Sequence, residues 1–109
     1  MNNLNDIKQI KLPKLNFTSN CNTFHQFVIR VDKKRDQLRK FLKINNIDTM
    51  IHYPYMLNEV KFYKNLDNQK SLKNSKNLGK KILSLPISEE HKVDEIDYVS
   101  KKIRIFFKN

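Results

Sequence analysis

The sequence predicts an α+β fold, a small three-stranded sheet packed with helices, and three observations carry that reading. Residues 24–31 (Phe-His-Gln-Phe-Val-Ile-Arg-Val) are aromatic and β-branched with a two-residue period, the mark of a half-buried strand. Residues 33–45 repeat Leu38, Phe41 and Leu42 at three- and four-residue spacing, with Lys and Arg on the other side, as an amphipathic helix does. Residues 88–108 repeat the pattern with Val93, Ile96, Val99, Ile103, Phe106 and Phe107, acidic residues crowding the start and basic ones the end, in accord with the helix dipole.

Taken in order, residues 1–23 are polar with scattered Leu and Ile and read as an N-terminal linker or partial helix, broken at Pro13. Ser19, Asn20, Cys21 and Asn22 read as loop. In the strand that follows, His25, Phe27, Ile29 and Val31 share one face. Asp32 is the expected N-cap of the first helix, and Asn46 suits the left-handed residue that closes it. Thr49-Met50-Ile51-His52-Tyr53 reads as a second strand, stopped by Pro54 and paired in parallel with the first. Helices are expected over 56–65 and 71–82, the latter anchored by Leu72, Leu78 and Ile82. Leu83-Ser84-Leu85-Pro86-Ile87 is a third extended segment, and Ser88 the cap of the last helix.

The chain has 109 residues, enough for one domain, with a single Cys, a single Gly and no Trp. One Cys excludes an internal disulfide framework and fits a reducing, cytoplasmic setting. No apolar run is long enough to span a bilayer, and the first residues lack the apolar core of a signal peptide, so no membrane partner is expected. The formal charge of +11 raises nucleic acid as a partner. Yet 18 of the 22 basic residues are Lys, there are 14 Asn and no Ala, and no block forms a basic arm. That pattern is a compositional background and a solvated surface rather than a dedicated nucleic-acid reader, which leans on Arg.

Chemistry is sparse. His25, His52 and His91 are separate in sequence and none has a second ligand at zinc-site spacing, so no metal is expected. Cys21 has no evident base partner, and no glycine-rich phosphate loop exists, Gly79 lying inside an expected helix. His52-Tyr53-Pro54 stands out: an imidazole and a phenol at a strand end, with a Pro turning the chain, can face a cleft, or can simply be packed.

Three segments bear a family resemblance. FHQFVIRVDKKRDQLRKFLK resembles an aromatic-His-x-aromatic-Val-Ile-Arg strand followed by an Arg-Asp-x-Leu helix. NNIDTMIHYPYML resembles a Gly-Ile-x-Thr-x-x-His-Tyr-Pro segment, and ILSLPISEEHKVDEIDYVSKKIRIFF a Leu-Ser-Leu-Pro strand with its closing helix. Together they resemble the C-terminal small domain of the DegT/StrS family of pyridoxal-phosphate-dependent sugar aminotransferases, over Phe24 to Phe107. The chain departs from the family pattern at Asn46, where Gly is usual, at Tyr55-Met56-Leu57-Asn58 after the His-Tyr-Pro, and at Lys73 and Lys76, where Pro and Glu are usual.

The resemblance implies that residues 24–109 form the small domain of a fold-type I aminotransferase, which moves an amino group from glutamate to a keto sugar on a nucleotide for surface polysaccharides. It implies His52 and Tyr53 as groups facing the substrate and cofactor cleft, with His25 supporting them from the neighbouring strand, and no catalytic residue in this chain. The Schiff-base Lys and the phosphate-holding residues belong to a large domain that this sequence lacks, so pyridoxal phosphate is the parent enzyme's cofactor and this truncated or split chain alone is expected to bind none and be inactive. The implied partners are a separate large domain or a second copy, meeting an exposed apolar face. The alternatives are a stand-alone binding or regulatory remnant, or a basic non-specific nucleic-acid binder, whose affinity would fall steeply with salt.

Overall fold

The computed structural model describes residues 4–14, 24–63 and 72–108; Cys21 and the loop expected around it lie outside them. The elements are β1 (Ile10–Lys11), β2 (Phe27–Val31), α1 (Arg35–Ile44), a single 3-10 turn (Leu57–Glu59), α2 (Lys73–Gly79), β3 (Ile82–Leu85) and α3 (Val93–Lys108). The fold is α+β: one sheet in the order β1-β2-β3, every pair antiparallel, with helices packed on it.

The alternation in β2 does what its period requires. Phe27, Ile29 and Val31 are buried and sit in register with Leu85, Leu83 and Ile10 respectively. Leu38 and Leu42 of α1 and Ile103 of α3 close over them, and Phe41 meets Phe106 with ring centroids 5.4 Å apart. Burying side chains of this size contributes about 1.5–3 kcal/mol each, so this cluster holds the domain together.

Several local expectations are corrected. The N-terminal stretch, expected to hold part of a helix, turns twice and forms β1; Leu4, Ile7 and Ile10 enter the core, and Arg104 of α3 grips Asp6 through paired contacts of 2.6 and 2.7 Å. Residues 49–53 form no strand beside β2. They make one antiparallel bridge, Met50 to Ser84, on the outer edge of β3. The helix expected over 56–65 is only the 3-10 turn within its described part, and the one over 71–82 stops at Gly79, so that Ile82 opens β3 instead. Gly79 is where Met56 packs close: a Cβ there would lie 2.7 Å from the Met56 methyl.

Both helix starts also differ from expectation. Asp32 does not cap α1; its carboxylate takes Lys81 at 3.2 Å and lies 3.4 Å from the Arg30 Nε, two cations outcompeting backbone N–H groups for one acceptor. Ser88 caps a turn before α3, accepting from the Glu90 N–H, whereas the helix begins where the Lys92 N–H donates to Glu95 at 2.9 Å, half of a capping box. The other end of α1 closes as its sequence suggests. Asn46 has φ 59°, the Asn46 N–H donates to the Lys43 carbonyl and the Ile47 N–H to the Leu42 carbonyl, which is the paired bonding of a Schellman motif. Ile47 and Leu42 are both in the core, the apolar contact that accompanies this motif.

Candidate functional site

The Schellman turn sets the site. It ends α1 and sends residues 47–52 along the free edge of β3, where Met50 and Ser84 exchange two backbone hydrogen bonds of 3.1 and 2.7 Å. Two residues later His52 folds back over the strand, and its Nδ1 lies 2.8 Å from the Ser84 Oγ. Beyond that point the chain leaves the sheet: Tyr53 and Tyr55 are 70% and 71% exposed. The His52–Tyr53 peptide bond is cis, and the two rings meet edge-on with centroids 5.6 Å apart.

A cleft of about 390 Å³ opens at this end of the sheet, where β2 begins and β3 ends. It is lined by His25, His52 and His91, with Asp48, Thr49 and Ser84 among its polar groups. His25 and His52 thus share one cavity, but Tyr53 does not line it; its phenol stands in solvent beside the rim. His91, which looked isolated in the sequence, is brought in by the turn between β3 and α3. Spacing could not have found it, because the three histidines come from three separate segments. The Thr49 hydroxyl, at the same wall, is buried without a hydrogen-bond partner.

A second concavity of about 440 Å³ adjoins the first across Asp48, Pro86 and His91. It adds Asp94, Glu95 and Tyr98. The Glu95 carboxylate is held below the usual carboxylate range, first by the Lys92 backbone N–H it accepts and then by the His91 ring 3.4 Å away. Among the described residues no three His, Cys, Asp or Glu side chains are placed to hold a metal ion. No helix among them is long and apolar enough to cross a membrane.

The chain has 22 basic residues, yet among the described residues neither concavity is lined by a Lys or an Arg. The clefts can donate and accept hydrogen bonds through imidazole, hydroxyl and carboxylate groups. Their described lining offers no amine to act as a nucleophile and no fixed cation to hold a phosphate.

The sequence profile of the DegT/DnrJ/EryC1/StrS aminotransferase family matches residues 1–104. The chain belongs to this family. It is 37% identical over 87 residues to a protein of Geobacillus stearothermophilus described as "Pleiotropic regulatory protein", covering 79% of this chain and 23% of that one. It is 32% identical over 83 residues to the dTDP-3-amino-3,6-dideoxy-alpha-D-galactopyranose transaminase of Aneurinibacillus thermoaerophilus, covering 76% of this chain and 22% of that protein.

Solved structures agree. S. venezuelae DesV, determined with a ketimine intermediate, superposes with a TM-score of 0.87 at 26% identity, covering 99% of this chain and 29% of DesV. A DegT DnrJ EryC1 StrS aminotransferase from Brucella abortus gives 0.83 at 25% identity, covering 99% and 28%. The small α+β fold expected from the sequence is therefore that of one portion of these aminotransferases. The chain spans about a quarter of the length of the relatives it matches.

Aminotransferases of this family depend on pyridoxal phosphate. The cofactor needs an amine for its aldehyde and cationic or backbone donors for its phosphate. With no Lys or Arg on either cleft wall, the described clefts do not fit the cofactor by themselves.

Proposed function

We propose that this chain is the small domain of a pyridoxal-phosphate-dependent nucleotide-sugar aminotransferase, and that it closes one side of an active site whose chemistry resides elsewhere. The observation that carries this reading is a cleft whose described lining has three histidines and no Lys or Arg, on a domain spanning about a quarter of its relatives. In this reading His52 and Tyr53 are hydrogen-bonding groups at the edge of the substrate and cofactor cleft, with His25 beside them. The substrate class is a keto sugar on a nucleotide, aminated at the expense of glutamate in surface polysaccharide synthesis, in a cytoplasmic setting. A separate large domain or a second copy would cover the exposed Tyr53, Tyr55, Leu57 and Phe62.

The reading makes the isolated chain inactive. Incubated with pyridoxal phosphate and glutamate, it is expected to give no saturable spectral change beyond the incidental imines of free glutamate and surface lysines, and to form no 2-oxoglutarate. Saturable spectral change together with turnover would overturn this. Stand-alone regulatory use is a second reading, favoured by the name of the Geobacillus relative. The two part on co-purification: a large pyridoxal-phosphate domain travelling with the chain supports a split enzyme, and a stable solitary monomer supports a regulatory remnant.

A further inference from the structure

The burial of Ser84 is at odds with its position. On β3 the two-residue period sets Leu83 and Leu85 into the core and turns Ser84 to the opposite face, on an edge strand. A serine there is ordinarily wet, yet Ser84 is 6% exposed. What meets its side chain is the ring of His52, returned over the strand by the Met50 bridge.

The hydroxyl carries one proton to donate. Its one hydrogen-bond partner among the described residues is His52 Nδ1, at 2.8 Å. If Nδ1 carried a proton, that proton would point at Oγ and the buried serine O–H would be left with no acceptor. A buried donor without a partner is the more costly arrangement. The serine therefore donates, Nδ1 accepts, and the ring proton resides on Nε2.

We propose that Ser84 is a positioning residue that fixes His52 as its Nε2–H tautomer and holds the ring so that it offers a hydrogen-bond donor to the cleft. A ligand atom met by His52 would then be an acceptor: a sugar hydroxyl or carbonyl oxygen, or a phosphate oxygen. Locking the ring before a ligand arrives lowers the ordering cost of binding. The part played toward a ligand rests on the cleft-facing reading of His52; the tautomer does not.

The test is long-range 1H–15N NMR of the imidazoles in the full 109-residue chain at a pH where His52 is neutral. Wild type is expected to show one neutral species for His52, with Nδ1 unprotonated and Nε2 protonated. Ser84→Ala should give a mixture of both tautomers and a shifted Nδ1 resonance, and Ser84→Thr, which restores a hydroxyl, should recover the single species. Backbone amide shifts of β2 report whether each variant keeps the fold. An Nδ1–H tautomer in wild type overturns the proposal even if no variant folds, as does a Ser84→Ala spectrum identical to wild type. Failure of the functional reading has a different signature: an assembled, active enzyme indifferent to His52→Gln would remove the cleft role and leave the tautomer result standing.

Discussion

The two ends of the β2–β3 ladder use opposite chemistry. At one end Asp32, just past β2, takes Lys81, just before β3, with Arg30 beside them, and the Arg35 guanidinium donates to the Ile82 carbonyl at 2.9 Å. At the other, His25 and Gln26 precede β2, Pro86 and Ile87 follow β3, and the space between them is a cleft with no Lys or Arg among its described lining residues. Cations near one end are spent on holding the fold. The other end is lined by imidazole and hydroxyl groups, which can change their hydrogen-bonding role, and by the Asp48 carboxylate instead of a Lys or Arg. Net charge, taken as a total, misses this, which is why +11 is a poor guide to what the cleft binds.

The largest expected effect tests whether both ends hang on one core. Leu83 lies mid-ladder and is fully buried, so Leu83→Ala should cost about 2–5 kcal/mol in urea unfolding. Phe62, a larger apolar residue but 83% exposed beyond the cleft, should change stability by no more than about 0.5 kcal/mol when replaced by Ala. Comparable losses at the two positions would mean that the exposed aromatic stretch is part of the fold, against the proposal that a partner covers it. A smaller effect is expected at Asn46, which sends the chain toward the cleft with φ 59°. Ala there should cost about 1 kcal/mol, because a Cβ without a compensating polar group disfavours the left-handed region. Gly should be tolerated within about 0.5 kcal/mol, since it enters that region freely. Equal losses for Ala and Gly would show that the Asn side chain, not the backbone geometry, matters.

What the sequence made legible follows from range. β2, the stripe of α1, the left-handed Asn46 and the body of α3 are local patterns, readable because period and burial coincide within one segment. Residues 49–53 look like a strand by composition, but pairing is decided by a remote partner, and only Met50 finds one, on β3 instead of β2. β1 escapes notice because two residues carry no period. Arg35, part of the Arg-Asp-x-Leu signature, proves to tie α1 to the start of β3, a role its local sequence does not disclose. Of the site, His52 is marked by its Tyr-Pro neighbours; Thr49 and Ser84 stand inside the family-like segments but nothing local singles them out as site groups, and His91 has no local mark. They matter because the chain brings them to one cavity, not because of the residues that flank them.

The smallest effect sharpens the contrast between the two ends. The Asp32 carboxyl is held below its ordinary value, chiefly by the hydrogen bond from Lys81 and further by the charges of Arg30, Lys81 and Lys11. A carboxyl depressed in the folded state contributes stability that is present above its unfolded value, near 4, and is lost as pH falls through the folded one. Because the pair is partly solvated, Asp32→Asn should cost at most about 1 kcal/mol at neutral pH. Wild type and Asp32→Asn should converge only as the pH falls below about 4 and on through the depressed folded value, where the carboxyl becomes neutral in the folded chain as well. Followed by urea midpoints from neutral to acid pH, a gap that narrows only on the acid side assigns acid sensitivity to the ion-paired end. A gap that stays constant, or opens on acidification, would show that this cluster contributes nothing through its charge. The distinction drawn between a charge-held end and a cleft end would then fail.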